Sequence, residues 1–410
     1  MPLKPMKTAV VGSGNISYTY LNTLSSGFTI IDLVGCSDLI AEKSKARSEI
    51  FGIKQMTTEE ILKDPEIELV LNLTEIQNHT NVSRMILEAG KHCYSEKSAG
   101  CSVEEVQGTL DLANSKGLRF GSAPDTFLGA GIQTARKLID EGWIGEPLGA
   151  RGWCIRSMRF NSRTADPDPK ANYIMKGTTI TYDMGGYYNN ALVALLGPVA
   201  RCAGFAKAFD KHTWENTAHA DFGKPIKVGS GANTIMAVYE FVNGCYGSFF
   251  ITSESFGQEI PLLEIFGTKG NLAVNDPNQY GGSHGDYWKQ DIILTRAGDD
   301  TPRIVPLSHG FADLDPAIPS KSGKWEPGQN NWRGIGAVDM AYAIRRNRPA
   351  RCSPELAMHN VEIVSAIEEN SQTDKVGVYT IKSRPAQPAP LAPGYIGPVS
   401  VMEGAIDNIR

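Results

Sequence analysis

The chain of 410 residues has no long uninterrupted apolar stretch and no excess of positive charge. Its formal net charge of -5 at pH 7 disfavours a surface for nucleic acids or anionic membranes, because both bind clustered basic charge. A membrane-spanning helix needs about 20 consecutive apolar residues, so none is predicted. The first residues also lack the apolar region of a secretory signal peptide. We therefore expect a cytoplasmic protein that acts on neither nucleic acids nor membranes.

Cysteine is also sparse, and the pairs and spacings that bind metals are missing. The seven cysteines are widely spaced and none belongs to a Cys-x-x-Cys pair, which predicts reduced thiols in the core. The seven histidines show no His-Glu-x-x-His spacing, so no metal site is predicted. Residues 281–285 match the Gly-x-Ser-x-Gly motif of hydrolases, but turn residues precede them where that motif requires a strand. A serine hydrolase is therefore not predicted.

Two patterns of hydrophobic residues divide the chain. Up to about residue 125, short apolar runs alternate with helical segments, which predicts βαβ units and a parallel sheet. Beyond that point the strands are closer together and are joined by hairpin turns. We expect an α/β Rossmann domain over 1–125, then over 126–383 an α+β domain with a large, open, mostly antiparallel sheet. Five prolines from Arg384 to Pro398 predict an extended C-terminal arm over 384–410.

A glycine turn follows the first predicted strand. Gly12 permits a tight turn, and Gly14 lets the backbone approach a pyrophosphate without a Cβ atom in the way. A helix is expected from Asn15 and Ile16, and the free N–H groups at its N-terminus attract phosphate. Position 17, where the dinucleotide fingerprint has its third glycine, is Ser17. The strand–turn–helix order predicts a dinucleotide site, although the fingerprint lacks its third glycine.

The second predicted strand ends at Asp38, where this fold places the acid that binds the adenosine ribose. A carboxylate accepts hydrogen bonds from the ribose hydroxyls and repels a 2′-phosphate. Neither position 39 nor position 40 carries an arginine or lysine that would bind such a phosphate. The sequence therefore predicts NAD(H) rather than NADP(H) as the cofactor.

Further motifs follow in order along the chain. They are Thr74-x4-His79; Ala89-Gly90-Lys91-His92 before Glu96-Lys97; Asp183-Met184-Gly185-Gly186-Tyr187-Tyr188; and Asn331-Trp332-Arg333-Gly334 with Arg348-Pro349. Together with the glycine turn and Asp38, these motifs resemble the glucose–fructose oxidoreductase/inositol dehydrogenase/MocA (Gfo/Idh/MocA) family of NAD(P)-dependent sugar dehydrogenases. The resemblance covers nearly the whole chain. Three sites depart from the family pattern: Ser98 replaces a proline, Glu75-Ile76 replace Pro-Asn or Pro-Pro, and Tyr187 replaces a histidine, with Asn190 where an acid often follows.

The resemblance implies how the ligands are arranged. The cofactor would lie across the strand ends of the first domain, with a sugar between its nicotinamide and the second domain's sheet. The residues implied to contribute to the cofactor site are Thr74, His79, Glu96 and Lys97. Asp125 and Thr126 would fall beside the nicotinamide or the substrate. As aromatic residues, Trp153 and Tyr188 are candidates to line the sugar site, although such residues more often belong to a core.

Oxidation of a sugar hydroxyl requires a base for the proton and a cation near the developing alkoxide. The resemblance implies that Lys97 and Asp183 belong to this catalytic site. Tyr187 lies one helical turn after Asp183, so both can face one cleft. A free tyrosine has a pKa of about 10, and a nearby lysine cation lowers it. We hypothesise that Tyr187 accepts the proton; the alternative is that its ring only stacks on the sugar.

The sequence favours an NAD(H)-dependent dehydrogenase for a ring hydroxyl of a pyranose, glycoside or cyclic polyol. Oxidation at C3 of a glucoside, which gives a 3-keto sugar, is one specific case. Two alternatives stay open: a redox-neutral glycosidase that uses transient oxidation, and a regulator that senses NAD or sugar without catalysis. An open sheet face would expose apolar surface, so a homo-dimer or homo-tetramer is expected. The proline-rich arm is a candidate to extend that contact.

Overall fold

The computed structural model describes residues 3–25, 28–155, 180–209, 232–254, 263–281, 292–313, 332–372 and 377–393, together with 213, 217 and 222–225. The hydrolase-like motif at 281–285 therefore lies almost wholly outside the described residues. So do Asn331 and the end of the C-terminal arm. The described chain forms two sheets, each covered by helices.

The first sheet has six parallel strands in the order β3-β2-β1-β4-β5-β6. Its strands are β1 (Met6–Val11), β2 (Ile31–Ser37), β3 (Lys54–Gln55), β4 (Leu69–Asn72), β5 (His92–Ser95) and β6 (Phe120–Ser122). The helices between them are α1 (Asn15–Leu24), α2 (Ala41–Phe51), α3 (Thr58–Lys63), α4 (His79–Glu88) and α5 (Val103–Ser115). Every residue of β4 is buried, as expected of a parallel strand covered on both faces.

The chain then enters the second domain through α6 (Ala130–Asp140), β7 (Pro147–Ile155) and α7 (Ile180–Leu196). The other strands are β8 (Val199–Lys207), β9 (Thr234–Phe241), β10 (Tyr246–Thr252), β11 (Leu263–Gly267), β12 (Gly270–Val274), β13 (Ile292–Arg296), β14 (Arg303–Val305) and β15 (Tyr379–Thr380). They form a sheet in the order β14-β13-β12-β11-β7-β10-β9-β8-β15. All its pairs are antiparallel except β7 with β10, so the mostly antiparallel sheet is confirmed.

The second sheet buries one face and exposes the other. Along β9, Ile235, Ala237 and Tyr239 are buried, whereas Met236 and Val238 are more than half exposed. This alternation is the pattern of an antiparallel sheet that packs on a core on one side only. Helix α7 covers the buried face, since its residues contact β7, β9 and β10.

The last helices bring the chain back to the first sheet. They are α8 (Ile335–Arg346), which contacts α1 and β6, and α9 (Pro354–Gln372), which contacts α5 and β6 as well as α7 and β8. The predicted boundaries at 125 and 383 stay predictions, but the two domains are closely packed. None of the described helices is long and apolar enough to cross a membrane. All seven cysteines are free thiols, and Cys101 alone is exposed among them.

The described part of the C-terminal arm packs against its own chain. The Leu391 backbone N–H donates to Gln133 Oε1 at 2.7 Å, and the Leu391 carbonyl contacts His309 Nε2 at 3.2 Å. Arg351 donates to the carbonyls of Ala389 and Pro390 at 2.7 and 3.0 Å. Up to residue 393, the arm is therefore a part of the protomer's own structure.

Candidate active site

The glycine turn after β1 has the geometry that a pyrophosphate requires. Gly12 has φ +99, and a Cβ atom there would lie 2.5 Å from the Leu73 carbonyl oxygen, so only glycine fits. A Cβ atom on Gly14 would meet nothing within 4 Å, which leaves open space at the N-terminus of α1. Gly14 is the N-cap of that helix and has no side chain to satisfy its first N–H groups. This cradle fits a dinucleotide phosphate.

Ser17, at the third fingerprint position, is buried and bonded within the turn. Its Oγ donates to the Gly14 carbonyl at 2.6 Å and accepts from Arg47 Nε at 3.0 Å. Arg47, on α2, also donates to the Gly14 carbonyl at 3.3 Å. The serine therefore joins α1 to α2 by hydrogen bonds at a site where the fingerprint glycine permits close packing. The contribution of Arg47 was not predicted from the sequence.

The Asp38 carboxylate lies at the end of β2, beside the glycine turn. Its two oxygens accept backbone hydrogen bonds from Ser13 at 2.7 Å and from Ile40 at 2.8 Å. The side chain is partly exposed, and Leu39 beside it is fully exposed. The backbone thus orients this acid at the carboxyl edge of the sheet, where ligands bind in this fold.

His79 connects the loops that follow β4 and β5. Its Nδ1 lies 2.8 Å from the Ser98 carbonyl, and its Nε2 lies 2.9 Å from the Thr74 carbonyl. Burial lowers the pKa of His79, while the two carbonyl contacts act to raise it. Thr74 is half-buried and donates its hydroxyl to Asn72 at 2.7 Å. His79 therefore holds these loops in place and has little surface open to a cofactor.

Glu96 and Lys97 follow β5. Glu96 is buried and accepts a hydrogen bond from the Tyr20 hydroxyl at 2.7 Å, so α1 fixes its orientation. The peptide between Lys97 and Ser98 is cis. The sequence prediction missed Tyr20 because it belongs to an apolar helix pattern with no motif of its own.

The three predicted catalytic residues lie together between the two domains. Lys97 Nζ forms an ion pair with the Asp183 carboxylate and also donates to the Asp183 carbonyl at 3.0 Å. The Lys97 and Asp183 side chains are 14% and 27% exposed, so the pair is only partly open to solvent. Lys97 Nζ lies 5.6 Å from the centre of the Tyr187 ring. Asp183 is in the first turn of α7 and Tyr187 is in the next turn, as the spacing predicts.

A second cation contacts Tyr187. The Arg333 guanidinium carbon lies 5.6 Å from the centre of the Tyr187 ring, and Arg333 Nη2 lies 3.5 Å from the Tyr187 hydroxyl. The same nitrogen donates to the side-chain and backbone oxygens of Asn278 at 2.5 and 3.2 Å. Arg333 belongs to one of the sequence motifs, but no site role was predicted for it.

Asp125 and Thr126 do not have the open positions expected of substrate contacts. Asp125 is buried and accepts hydrogen bonds from the Tyr280 hydroxyl at 2.6 Å and from the backbone N–H groups of Gly334 and Gly336 at 2.8 and 2.9 Å. Burial raises its pKa, and these hydrogen bonds oppose the rise. Thr126 is buried in the turn after β6. Asp125 thus anchors the start of α8; the expected contact of Asp125 and Thr126 with the nicotinamide or the substrate stays a prediction.

Trp153 and Tyr188 lie on opposite faces of the second sheet. A Cβ atom on Gly152 would contact Tyr188 and Leu192 of α7, so the neighbouring residue Trp153 points to the opposite, outer face of the sheet. There it packs against Phe250 with ring centres 5.9 Å apart. Tyr188 is completely buried between α7 and the sheet, with its hydroxyl 3.3 Å from Asp276. Trp153 therefore lies on the face of the sheet opposite α7, and Tyr188 is a core residue; a contact of either residue with the sugar stays a prediction.

Two family models match the chain. One, described as the oxidoreductase family with an NAD-binding Rossmann fold, matches residues 6–123, and the GFO/IDH/MocA C-terminal domain matches residues 132–273. The levoglucosan dehydrogenase of Pseudarthrobacter phenanthrenivorans is 24% identical over 55% of this chain and 60% of its own length. The NAD(+)-dependent scyllo-inositol 2-dehydrogenase of Bacillus subtilis is 22% identical over 66% and 73%. The first curated relatives are matched over little more than half of their length.

Solved structures show the same fold. A levoglucosan dehydrogenase in complex with NADH superposes with a TM-score of 0.72 at 20% identity, covering 93% of this chain and 100% of that chain. An NAD-binding oxidoreductase from Klebsiella pneumoniae has a TM-score of 0.73 at 16% identity, with 92% and 99% covered. Both similarities extend through the two sheets.

Proposed function

The chain belongs to the Gfo/Idh/MocA oxidoreductase family, and on that premise we propose that it is an NAD(H)-dependent dehydrogenase for a ring hydroxyl of a pyranose, a glycoside or a cyclic polyol. The family match confirms the predicted fold and the NAD cofactor. The observation that carries the proposal is the cluster of Lys97, Asp183 and Tyr187 beside the carboxyl edge of the first sheet.

The first domain supplies the cofactor site. The open space at Gly14 and the free N–H groups of α1 would hold the pyrophosphate, and Asp38 would accept hydrogen bonds from the adenosine ribose. Glu96, oriented by Tyr20, would hold the nicotinamide ribose. NAD⁺, when bound, accepts the hydride that leaves the alcohol carbon.

The residues between the two domains handle the proton that leaves the substrate hydroxyl. Once the Tyr187 hydroxyl has released its own proton to solvent, its oxygen accepts the proton of the substrate hydroxyl, while the Lys97 ammonium stabilises the negative charge that develops on the substrate oxygen. Asp183 fixes the position of Lys97 through both its carboxylate and its carbonyl. The carbon that loses hydride becomes a carbonyl carbon, so oxidation at a non-anomeric ring carbon gives a keto sugar or keto polyol.

Relatives named for levoglucosan, scyllo-inositol and D-xylose support a ring polyol as the substrate class. Oxidation at C3 of a glucoside is the first specific reaction to test. The experiment measures NADH absorbance over free sugars, inositols, O-glycosides and C-glycosides, and NMR of the product identifies the oxidised carbon. Release of free sugar without accumulation of NADH would instead indicate that the protein is a redox-neutral glycosidase. Firm NAD binding with no turnover on any compound would assign a regulator.

We also propose that two copies associate through the outer face of the second sheet. In register across four strands, this face presents Trp153, Phe250, Met236 and Phe205, and Val238 and Tyr246 beside them are exposed. An apolar surface of this extent indicates a protein interface. Light scattering with Val238→Glu tests the interface: a shift to monomer supports it, and an unchanged mass contradicts it. The seven free thiols are in keeping with a reducing cytoplasmic location.

A further inference from the structure

We infer that Arg333 is a positioning residue, which orients the Tyr187 hydroxyl and holds a fixed positive charge beside it for proton transfer with the substrate. The inference rests on the proposed function and adds a residue that neither the family match nor the sequence prediction assigns. It depends on three features: the fixed backbone around Arg333, the contacts of its guanidinium, and the charges that face Tyr187.

The backbone on both sides of Arg333 is anchored. Before it, Trp332 donates its indole N–H to the Ala312 carbonyl at 2.7 Å, and its ring packs edge-on against Phe311 with centres 5.3 Å apart. After it, the Gly334 backbone N–H donates to the buried Asp125 carboxylate at 2.8 Å. Gly334 has φ +108 and lies against Tyr20, the residue that orients Glu96. Arg333 is therefore held relative to the first domain.

The guanidinium is fixed by Asn278 and directed at Tyr187. Two oxygens of Asn278 accept hydrogen bonds from Nη2, and that nitrogen is also 3.5 Å from the Tyr187 hydroxyl. The guanidinium carbon lies 5.6 Å from the ring centre, which is within the range of a cation–π contact. A planar group held through Nη2 by two oxygens of Asn278 is better suited to this task than a flexible ammonium.

Within the described part of the chain, Lys97 and Tyr280 also face Tyr187. Lys97 Nζ lies over the ring and forms its ion pair with Asp183. Tyr280, which follows β12, is neutral because burial and the nearby Asp125 carboxylate raise its pKa well above the usual value. Burial acts to lower the pKa of Arg333, but its contact with Tyr187 and the nearby Glu96 carboxylate raise it above the usual value, so the guanidinium keeps its charge. Tyr187 itself is buried, where charges interact more strongly than in water.

Activity against pH tests the inference. In Arg333→Gln, the pH at which kcat/KM reaches half its maximum should rise by about one unit, the size of shift that a lost neighbouring charge causes. At neutral pH, kcat should fall about tenfold with a smaller change in KM, because a proton transfer is impaired rather than binding. Arg333→Lys should restore part of the loss, since it retains the charge without the planar fork. The control, Arg303→Gln, makes the same change in an arginine at the exposed edge of the second sheet and should match the wild type.

A spectroscopic titration separates this inference from the proposed function. Protein labelled with ¹³C at tyrosine Cζ, with the Tyr187 resonance assigned from Tyr187→Phe, reports the ionisation of Tyr187 without any substrate. The resonance should titrate at higher pH in Arg333→Gln than in the wild type. If the wild type oxidises no sugar, the proposed function fails, but the titration still tests the role of Arg333. An unchanged titration in Arg333→Gln, with normal NAD binding and an unchanged unfolding temperature, would overturn the inference.

Discussion

The two sides of the proposed site are built in different ways. On the cofactor side, backbone groups set the geometry: Gly12 makes the turn, and the N–H groups of Ser13 and Ile40 hold Asp38. On the substrate side, side chains hold one another, with partners separated by 86 residues for Lys97 and Asp183 and by 146 for Tyr187 and Arg333. The cofactor side therefore depends on local sequence, whereas the substrate side depends on the packing of the whole chain.

The largest expected effect lies on the substrate side. Tyr187→Phe removes only the hydroxyl, so the ring and its packing remain while the proton acceptor is lost. We expect kcat to fall by about 100-fold or more, the usual contribution of a general acid–base group. Calorimetry should show NAD binding unchanged, because Tyr187 is outside the glycine turn. Near-normal turnover would show that the Tyr187 ring only stacks against the sugar. The contrast between the cofactor side and the substrate side would then no longer hold.

On the cofactor side, two glycines of the same turn should respond in opposite ways. Gly12→Ala forces a side chain into a left-handed conformation, against the Leu73 carbonyl, and should lower the free energy of unfolding by about 2 kcal/mol or more. Gly14→Ala adds its methyl group to open space, so its stability should be close to normal. NAD should nevertheless bind Gly14→Ala more weakly, because the methyl group occupies the place proposed for the pyrophosphate. Urea unfolding measures the stability of both variants, and titration with NAD measures their affinity. Equal losses of stability in the two variants would contradict the different roles given to Gly12 and Gly14.

A smaller effect is expected at Asp38. Asp38→Ala removes the ribose acceptor and should raise the Kd for NAD about tenfold, as for the loss of one charged hydrogen bond. It also removes the charge that repels a 2′-phosphate, so binding of NADP should weaken less or improve. Asp32→Ala, at the exposed beginning of the same strand, is the control and should bind both dinucleotides normally. Equal losses for NAD and NADP in Asp38→Ala would refute the assignment of selectivity to this carboxylate.

The smallest effect is expected at Trp153. Because its ring is on the outer face of the sheet, Trp153→Phe should leave kcat and KM unchanged in the sugar assay. Asn278→Ala provides the contrast, since it releases the guanidinium beside Tyr187 and should lower kcat. A higher KM in Trp153→Phe would place that residue back in the substrate site.

Much of the first domain could be predicted from the sequence, because its motifs are short and each residue acts on a neighbouring backbone group. The glycine turn and Asp38 are of this kind. Lys97, Asp183 and Tyr187 were predicted from family motifs, and the structure brings them together. Their roles stay predictions until turnover is measured.

The features that the sequence did not reveal have a common physical cause. Asp125 was expected beside the nicotinamide or the substrate because of the family resemblance, but the returning helix α8 covers it and uses it as an anchor. Trp153 and Tyr188 were predicted to line the sugar site from their residue type alone. Whether an aromatic residue faces a cleft depends on the side of the strand or helix that it occupies. Arg333 was missed because its partner Tyr187 is 146 residues away.

The C-terminal arm has a consequence for how the protein is made. Gln133, near the beginning of the second domain, and His309, in its last third, are buried, and both contact Leu391. During synthesis these polar groups are in place long before the ribosome has added residue 391. Until then Gln133 Oε1 and His309 Nε2 lack the hydrogen bonds that they form with Leu391. We therefore expect a chain that stops before residue 391 to be less stable than the full chain, by about 1 kcal/mol for each missing bond.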